Sequence, residues 1–273
     1  WAWVLNDEYA NVMLYNFGLL TELPCASTSP SLTVQNVSAF ASTNEVGFLE
    51  GGDLDYLMDL TTLLEVSYEQ PAGLLQYCDE TMSLSGASFS LTPSSTMGEP
   101  TSTPWNMRSG RSDDGAFTPY DFTSYVPSFS FTAEADTLYT VLVFDPLQKV
   151  NQGDLAYLHA LYTDVSDPSA ITTNITAGNG VGFYLPYIGP GNPSATVAHQ
   201  YTFMVLEQGG EIALDAESAY AAELSGRSSF NVTKLVDQLS LVAIRGLTWA
   251  WVLNDEYANV MLYNFGLLTE LPC

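Results

Sequence analysis

The chain has 273 residues, of which 47% are apolar, and its formal net charge is −25, because 31 acidic residues face only six lysines and arginines. This length suits one large domain or two small ones, and the apolar share supports a sizeable buried core. The acidic balance excludes nucleic acid and anionic membranes as expected partners, since both are bound through cationic side chains.

The first 25 residues are repeated, without a single change, as residues 249–273. One domain has a single place for this segment, which reads as a strand followed by a helix. The extra copy at 1–25 is therefore either an artefact or a swapped element that docks on a neighbouring molecule and forms a homo-oligomer. Residues 26–59 form a Ser/Thr-rich lead-in, and residues 60–273 form the main domain.

Alternating and aromatic-rich segments predict strands along the main domain. They cover residues 64–68, 87–91, 129–131, 138–144, 157–162, 201–206 and 247–252. Residues 97–125 are rich in Ser, Thr, Pro and Gly, which predicts a surface-loop insertion. Helices are expected at 216–224, at 231–236 and after Asn254, with Asp215 and Asn231 as caps. Many strands and few helices favour an antiparallel β-sandwich with peripheral helices and a C-terminal helix.

The three cysteines allow two disulfide pairings. Cys78 pairs with Cys273 if the N-terminal copy is set aside, and Cys25 is the alternative partner of Cys78 if it is not. Three free buried thiols remain a third reading. The spacing of cysteines and histidines does not fit a zinc site, and no nucleotide-binding motif is present, so we expect neither metal nor cofactor.

Three Asn-X-Ser/Thr sequons favour glycosylation and the secretory route. They begin at Asn36, Asn174 and Asn231. No apolar run reaches the roughly 18 residues that a membrane-spanning helix requires. The expectation is a secreted or lumenal glycoprotein without a transmembrane segment.

Three segments carry the chemistry: 141–146 (VLVFDP), 157–161 (YLHAL) and 187–208, which contains a Gly/Pro-rich loop followed by His199-Gln200-Tyr201. This order resembles the two signature blocks of the phosphatidylethanolamine-binding protein family. Both histidines of the chain, His159 and His199, fall at the histidine positions of that pattern. The resemblance implies the β-sandwich fold of the family and a pocket for phosphate-like or carboxylate groups.

The resemblance also implies which residues line the pocket. They are Asp145, His159, Tyr187, Gly191, Asn192, Pro193, His199 and Tyr201. A carboxylate beside an imidazole fixes the ring tautomer and favours its protonated form. Leu147 and Gln200 stand where the family usually has an acid and an arginine, and these changes indicate a less charged pocket tuned to another small acid.

Three functions compete. The first is a secreted module that binds a small anionic or amphipathic ligand. The second is an enzyme or accessory protein of fungal polyketide biosynthesis, because some relatives are associated with the coupling of anhydride monomers into maleidrides. Its catalytic candidates are Asp145, His159 and His199, with Asp145 and His159 as an acid/base pair. The third is assembly through the repeated terminal segment.

Overall fold

A computed structural model describes most of the main domain. It covers residues 57–70, 72–84, 87–91, 126–146, 156–172, 180–191, 199–228, 230–252, 254–264, 266 and 268–271. Several sequence predictions lie outside these residues, and they concern the copy at 1–25, the lead-in up to residue 56, the insertion at 97–125, Cys25, Cys273, Asn36, Asn174, Asn192 and Pro193.

The described residues form ten strands and three α-helices. The strands are β1 (Glu65–Gln70), β2 (Gly73–Tyr77), β3 (Glu80–Leu84), β4 (Ala87–Leu91), β5 (Ser128–Ser130), β6 (Tyr139–Asp145), β7 (Tyr157–Val165), β8 (Tyr184–Leu185), β9 (His199–Gln208) and β10 (Leu241–Val252). The helices are α1 (Ala219–Ser225), α2 (Val232–Leu239) and α3 (Glu256–Asn264). The fold is mostly β, with peripheral helices and a C-terminal helix, as the sequence predicts.

The main sheet has five antiparallel strands in the order β10-β9-β6-β7-β8. A second sheet has the order β4-β1-β5, and β2 pairs with β3 in a hairpin. All seven residues of the central strand β6 are buried, which explains its almost continuous apolar sequence.

The side chains of β6 alternate between two hydrophobic cores. Val141 and Val143 pack with the residues of the second sheet, whereas Leu142 and Phe144 pack with residues of α1 and α2. Because successive side chains of a strand point to opposite faces, the main sheet is covered on both sides. The described residues therefore form three layers, which are the small sheet, the main sheet and the helices.

The hairpin of β2 and β3 was missed by the sequence prediction. Its turn contains Cys78, whose φ is 54°, and lacks the Asn-Gly or Asp-Gly pair that announces a tight hairpin. Leu74 in β2 is 75% exposed, so the hairpin also lacks the buried apolar alternation that marks a strand.

Two helix predictions were correct in place but not in their ends. Helix α1 begins at Ala219 rather than at residue 216, because the Ser218 side chain caps it by accepting from the Ala221 N–H. Asp215 instead closes the preceding turn, where it accepts from Glu217. Asn231 caps α2 as predicted, and the helix continues to Leu239, further than expected. The C-terminal helix ends before Gly266, whose φ of 71° stops it.

A polar corner joins β7 to β9 at the end of the sheet away from Asp145. Asp164 adopts a φ of 56°, and its Oδ1 accepts from Gln208 Nε2 at 2.8 Å and from the Ile212 N–H at 2.7 Å. Gly182 lies directly against this carboxylate and donates its N–H to the Thr163 carbonyl at 2.8 Å.

Gly182→Ala is expected to lower the free energy of unfolding by about 2–3 kcal/mol, because the added methyl group would overlap the Asp164 carboxylate and displace it from its donors. Urea denaturation measures the loss. Gly73→Ala is the matched control, since its methyl group would meet nothing within 4 Å. Equal losses in the two variants would contradict the packing argument.

Candidate functional site

Three neighbouring strands of the main sheet bring the predicted polar residues together. Asp145 is the last residue of β6, His159 lies in β7, and His199 begins β9. Because β6 is hydrogen-bonded to both other strands, its carboxyl end places Asp145 between the two histidines. Pairing skips His159, since Val143 faces Ala160 and Phe144 faces Leu158. His159 is thus the extra residue of a β-bulge, which re-aims its side chain.

Asp145 and His199 form a buried pair. Asp145 Oδ2 and His199 Nδ1 are 2.6 Å apart, and their side chains are 0% and 11% exposed. The carboxylate accepts from Nδ1, so the proton of a neutral His199 lies on Nδ1 and its Nε2 is a hydrogen-bond acceptor.

His159 is held by a different partner. Its Nδ1 lies 2.7 Å from the Ile188 carbonyl, and the Ile188 N–H donates back to the His159 carbonyl at 2.9 Å. The carbonyl can only accept, so Nδ1 carries the proton. Burial lowers the pKa of His159 to about 4, although the nearby Asp145 carboxylate and the Ile188 hydrogen bond oppose that shift.

Aromatic rings surround His159. The Tyr157 ring centroid is 5.0 Å away, and the Tyr201 ring meets it edge-on at 4.9 Å. Burial raises the pKa of Tyr201 well above its usual value, with Asp145 adding to the effect, so the phenol keeps its proton. Tyr187 lies deeper, where its hydroxyl contacts the Tyr68 hydroxyl at 3.2 Å.

Arg227 locks the two segments that carry His159 and Ile188. Its Nη1 donates to the Leu158 and His159 carbonyls at 3.1 and 2.9 Å, and its Nη2 donates to the Pro186 carbonyl at 2.7 Å. The guanidinium therefore binds backbone oxygens, and it holds the His159 and Pro186 segments in place. No sequence motif predicts this role of Arg227, because the residue lies in the loop after α1, 68 residues from His159.

The rim of the site is described only at Gly191 among the predicted loop residues. A methyl group on Gly191 would meet Met261 Cε of α3 at 2.8 Å, so the C-terminal helix packs against this rim. The last residues of β10 also border the site, since Val252 pairs with His199. Described residues of the C-terminal copy, in β10 and α3, therefore border the site.

The hydrogen bond of Asp145 joins it to His199, whereas His159 bonds to the Ile188 carbonyl. The cause of this difference in partners is the bulge at His159, which a strand pattern does not reveal. The acid/base role of Asp145 and His159 stays a prediction.

Two other predicted features concern Cys78 and Asn231. Cys78 is disulfide-bonded, and because both candidate partners lie outside the described residues, its pairing stays a prediction. Asn231 is exposed, and its Oδ1 accepts from the Lys234 N–H at 2.8 Å. Glycosylation there also stays a prediction.

Within the described ranges, no cluster of three or more His, Cys, Asp or Glu residues could hold a metal ion. None of the helices in those ranges is long and apolar enough to cross a membrane.

A family model for phosphatidylethanolamine-binding protein matches residues 109–240. This interval contains Asp145, His159 and His199, the three residues that the strands bring together. Over this interval, which is slightly less than half of the chain, the sequence is similar to that family. None of the curated proteins compared with the sequence matches it.

Solved structures with a similar chain path include two phosphatidylethanolamine-binding proteins and one protease inhibitor. The protein from Plasmodium vivax is 12% identical, with a TM-score of 0.44, and the match covers 82% of this chain and 98% of that one. The Plasmodium falciparum protein is 13% identical, with a TM-score of 0.43 and the same coverage. A carboxypeptidase Y inhibitor, solved with its cognate proteinase, is 14% identical, with a TM-score of 0.42, and 84% of this chain and 98% of that one are covered.

Proposed function

We propose that this chain is a secreted phosphatidylethanolamine-binding protein relative that binds the oxyacid group of a small anionic or amphipathic ligand beside Asp145, His159 and His199. The observation that carries the proposal is the buried 2.6 Å contact between Asp145 and His199, with His159 on the next strand. Three titratable side chains gathered at the end of a β-sheet are costly for folding, and such groups cluster at functional sites.

The Asp145–His199 pair and its aromatic neighbours provide the groups that would contact a bound oxyacid. The Asp145 carboxylate holds His199 through Nδ1 and so orients the ring, which leaves Nε2 for a ligand oxyacid group. The Tyr201 phenol remains protonated and is a donor group at the same edge. The aromatic rings around His159 supply an apolar wall, which suits a ligand that also has a hydrocarbon part.

Calorimetric titration with inorganic phosphate, acetate and succinate tests the proposal. We expect at least one of these anions to bind the wild-type chain and to lose about tenfold in affinity in His199→Gln, because the variant lacks the imidazole that Asp145 orients. Glu223→Gln is the matched control, since Glu223 pairs with Lys234 on the surface. Absence of binding by all three anions, or equal binding by His199→Gln, would refute the proposal.

The Asp145–His199 pair also supports the second candidate, an enzyme or accessory of fungal polyketide biosynthesis. A histidine oriented by a buried carboxylate is a suitable general base or acid. Incubation with an anhydride monomer, followed by mass spectrometry, tests this candidate. Unchanged substrate, or equal turnover by His199→Gln, would count against it.

The secretory location and the swapped assembly remain proposals as well. The disulfide at Cys78 supports an oxidising compartment. Assembly through residues 1–25 requires the copy to occupy the place that 249–273 fills beside β9. Light scattering of the chain without residues 1–25 tests it, and an unchanged mass would dismiss it.

A further inference from the structure

His159 presents an unused hydrogen-bond acceptor at the site. Its Nδ1 proton is committed to the Ile188 carbonyl, so the neutral ring has only a lone pair on Nε2. The residue is 2% exposed, and Nε2 has no hydrogen-bond partner within the described part of the chain. A buried polar atom without a partner costs free energy, and a ligand that donates to Nε2 would recover it.

The groups around His159 keep the ring neutral at neutral pH. Burial is the largest influence and lowers its pKa to about 4. Asp145 on β6 acts in the opposite direction, whereas Arg227 and His199 act with burial. The rings of Tyr157 and Tyr201 pack near it, and burial raises the pKa of Tyr201 well above its usual value, so that phenol keeps its proton. His159 is therefore an acceptor and not a cationic donor.

Among the described residues, the arginine whose charge acts on His159 is Arg227, and its hydrogen bonds run to three backbone carbonyls instead of to Nε2. His159 Nε2 itself faces no hydrogen-bond donor among these residues. A fully ionised oxygen placed against His159 Nε2 would meet lone pairs instead of a proton, so the contact would be repulsive.

We propose that the site accepts an oxyacid group only while that group still carries a proton, which it donates to His159 Nε2. Hydrogen phosphate and singly protonated phosphomonoesters then bind, whereas sulfate and phosphodiesters do not. The inference rests on the proposed function, since it specifies which oxyacids the same site takes. A site built to hydrogen-bond a ligand O–H rejects analogues that lack it, because its own buried acceptor stays unpaired.

Two pairs of probes test this directly in calorimetric titrations. At about pH 7 every form of inorganic phosphate keeps an O–H and sulfate has none, so we expect phosphate to bind about ten- to a hundredfold more tightly. The second ionisation of a phosphomonoester lies near pH 6. At a pH below this value, methyl phosphate and dimethyl phosphate carry the same single charge. Methyl phosphate, which has the O–H, is expected to bind and dimethyl phosphate is not.

His159→Asn is the informative variant. The asparagine amide nitrogen lies where Nδ1 was and donates to the Ile188 carbonyl, but no atom replaces Nε2. We expect this variant to fold, to bind phosphate no better than sulfate, and to treat the two methyl esters alike. Its circular dichroism spectrum checks the fold, and His159→Gln, which restores an acceptor near the Nε2 position, is expected to recover part of the preference.

The outcomes separate the inference from the function beneath it. Sulfate affinity within threefold of phosphate affinity in the wild-type chain overturns the inference and leaves anion binding intact. Full discrimination retained in His159→Asn overturns the role of Nε2. Failure of all four probes to bind overturns the proposed function, and the inference falls with it.

Discussion

Asp145→Ala is expected to lower the free energy of unfolding by about 3 kcal/mol or more, because it removes one partner of a buried ion pair. The Asp145 side chain is fully buried, and His199 Nδ1 has its 2.6 Å contact with that carboxylate. Without the carboxylate, His199 is left with an unsatisfied buried N–H and a ring that no partner orients. The expected result is therefore a less stable chain that also binds anions weakly.

Urea denaturation and phosphate titration of matched variants measure the two effects. Asp145→Asn keeps an oxygen that accepts from His199 but removes the charge, so we expect a smaller loss of stability with the same loss of binding. Glu223→Ala removes a carboxylate from a surface pair whose side chains are more than 40% exposed, and its expected cost is below about 1 kcal/mol. Equal losses in the free energy of unfolding for Asp145→Ala and Glu223→Ala would mean that the buried pair stabilises the chain no more than the surface pair does.

Acid is expected to destabilise the chain through His159. In the unfolded chain the ring has an ordinary pKa near 6.5, whereas in the folded chain burial lowers it to about 4. Between these values the unfolded state binds more protons, so the free energy of unfolding falls as the pH falls. The contribution present above pH 6.5 decreases by about 3 kcal/mol on reaching pH 4.

Comparison with His159→Asn isolates this contribution from the acid response of the carboxylates. Asparagine does not titrate, so the stability advantage of the wild-type chain over the variant should shrink by about 3 kcal/mol from pH 7 to about pH 4. Urea denaturation at several pH values gives both curves. Parallel curves across this range would show that the ring takes up its proton equally in both states.

Much of the sheet could be predicted because burial imposes a strict alternation on its strands. Val141 and Val143 belong to one core, while Leu142 and Phe144 belong to the other. This two-sided burial makes the strand nearly continuously apolar, and the sequence shows it. The exposed hairpin of β2 and β3 has no such constraint, so its sequence gave no strand signal.

The members of the site could be named from local motifs, but not the contacts between them. Asp145, His159 and His199 each stand at a recognisable position beside a proline, an aromatic residue or a Gly/Pro-rich loop. Their pairing depends on register and on one bulge in β7, which are properties of the assembled sheet. Arg227 left no signal, because a residue that binds backbone carbonyls needs only the right distance and no motif.

The confinement of the Arg227 guanidinium to backbone carbonyls has a consequence for how ligands arrive. The long-range field of the molecule is set by its net charge of −25, and no exposed positive group near the described site reverses it. An anion approaching the site is therefore repelled at a distance and held only by short-range hydrogen bonds. Added salt screens that repulsion, so capture should become faster with ionic strength, opposite to the slowing seen where cationic side chains steer an anion inward.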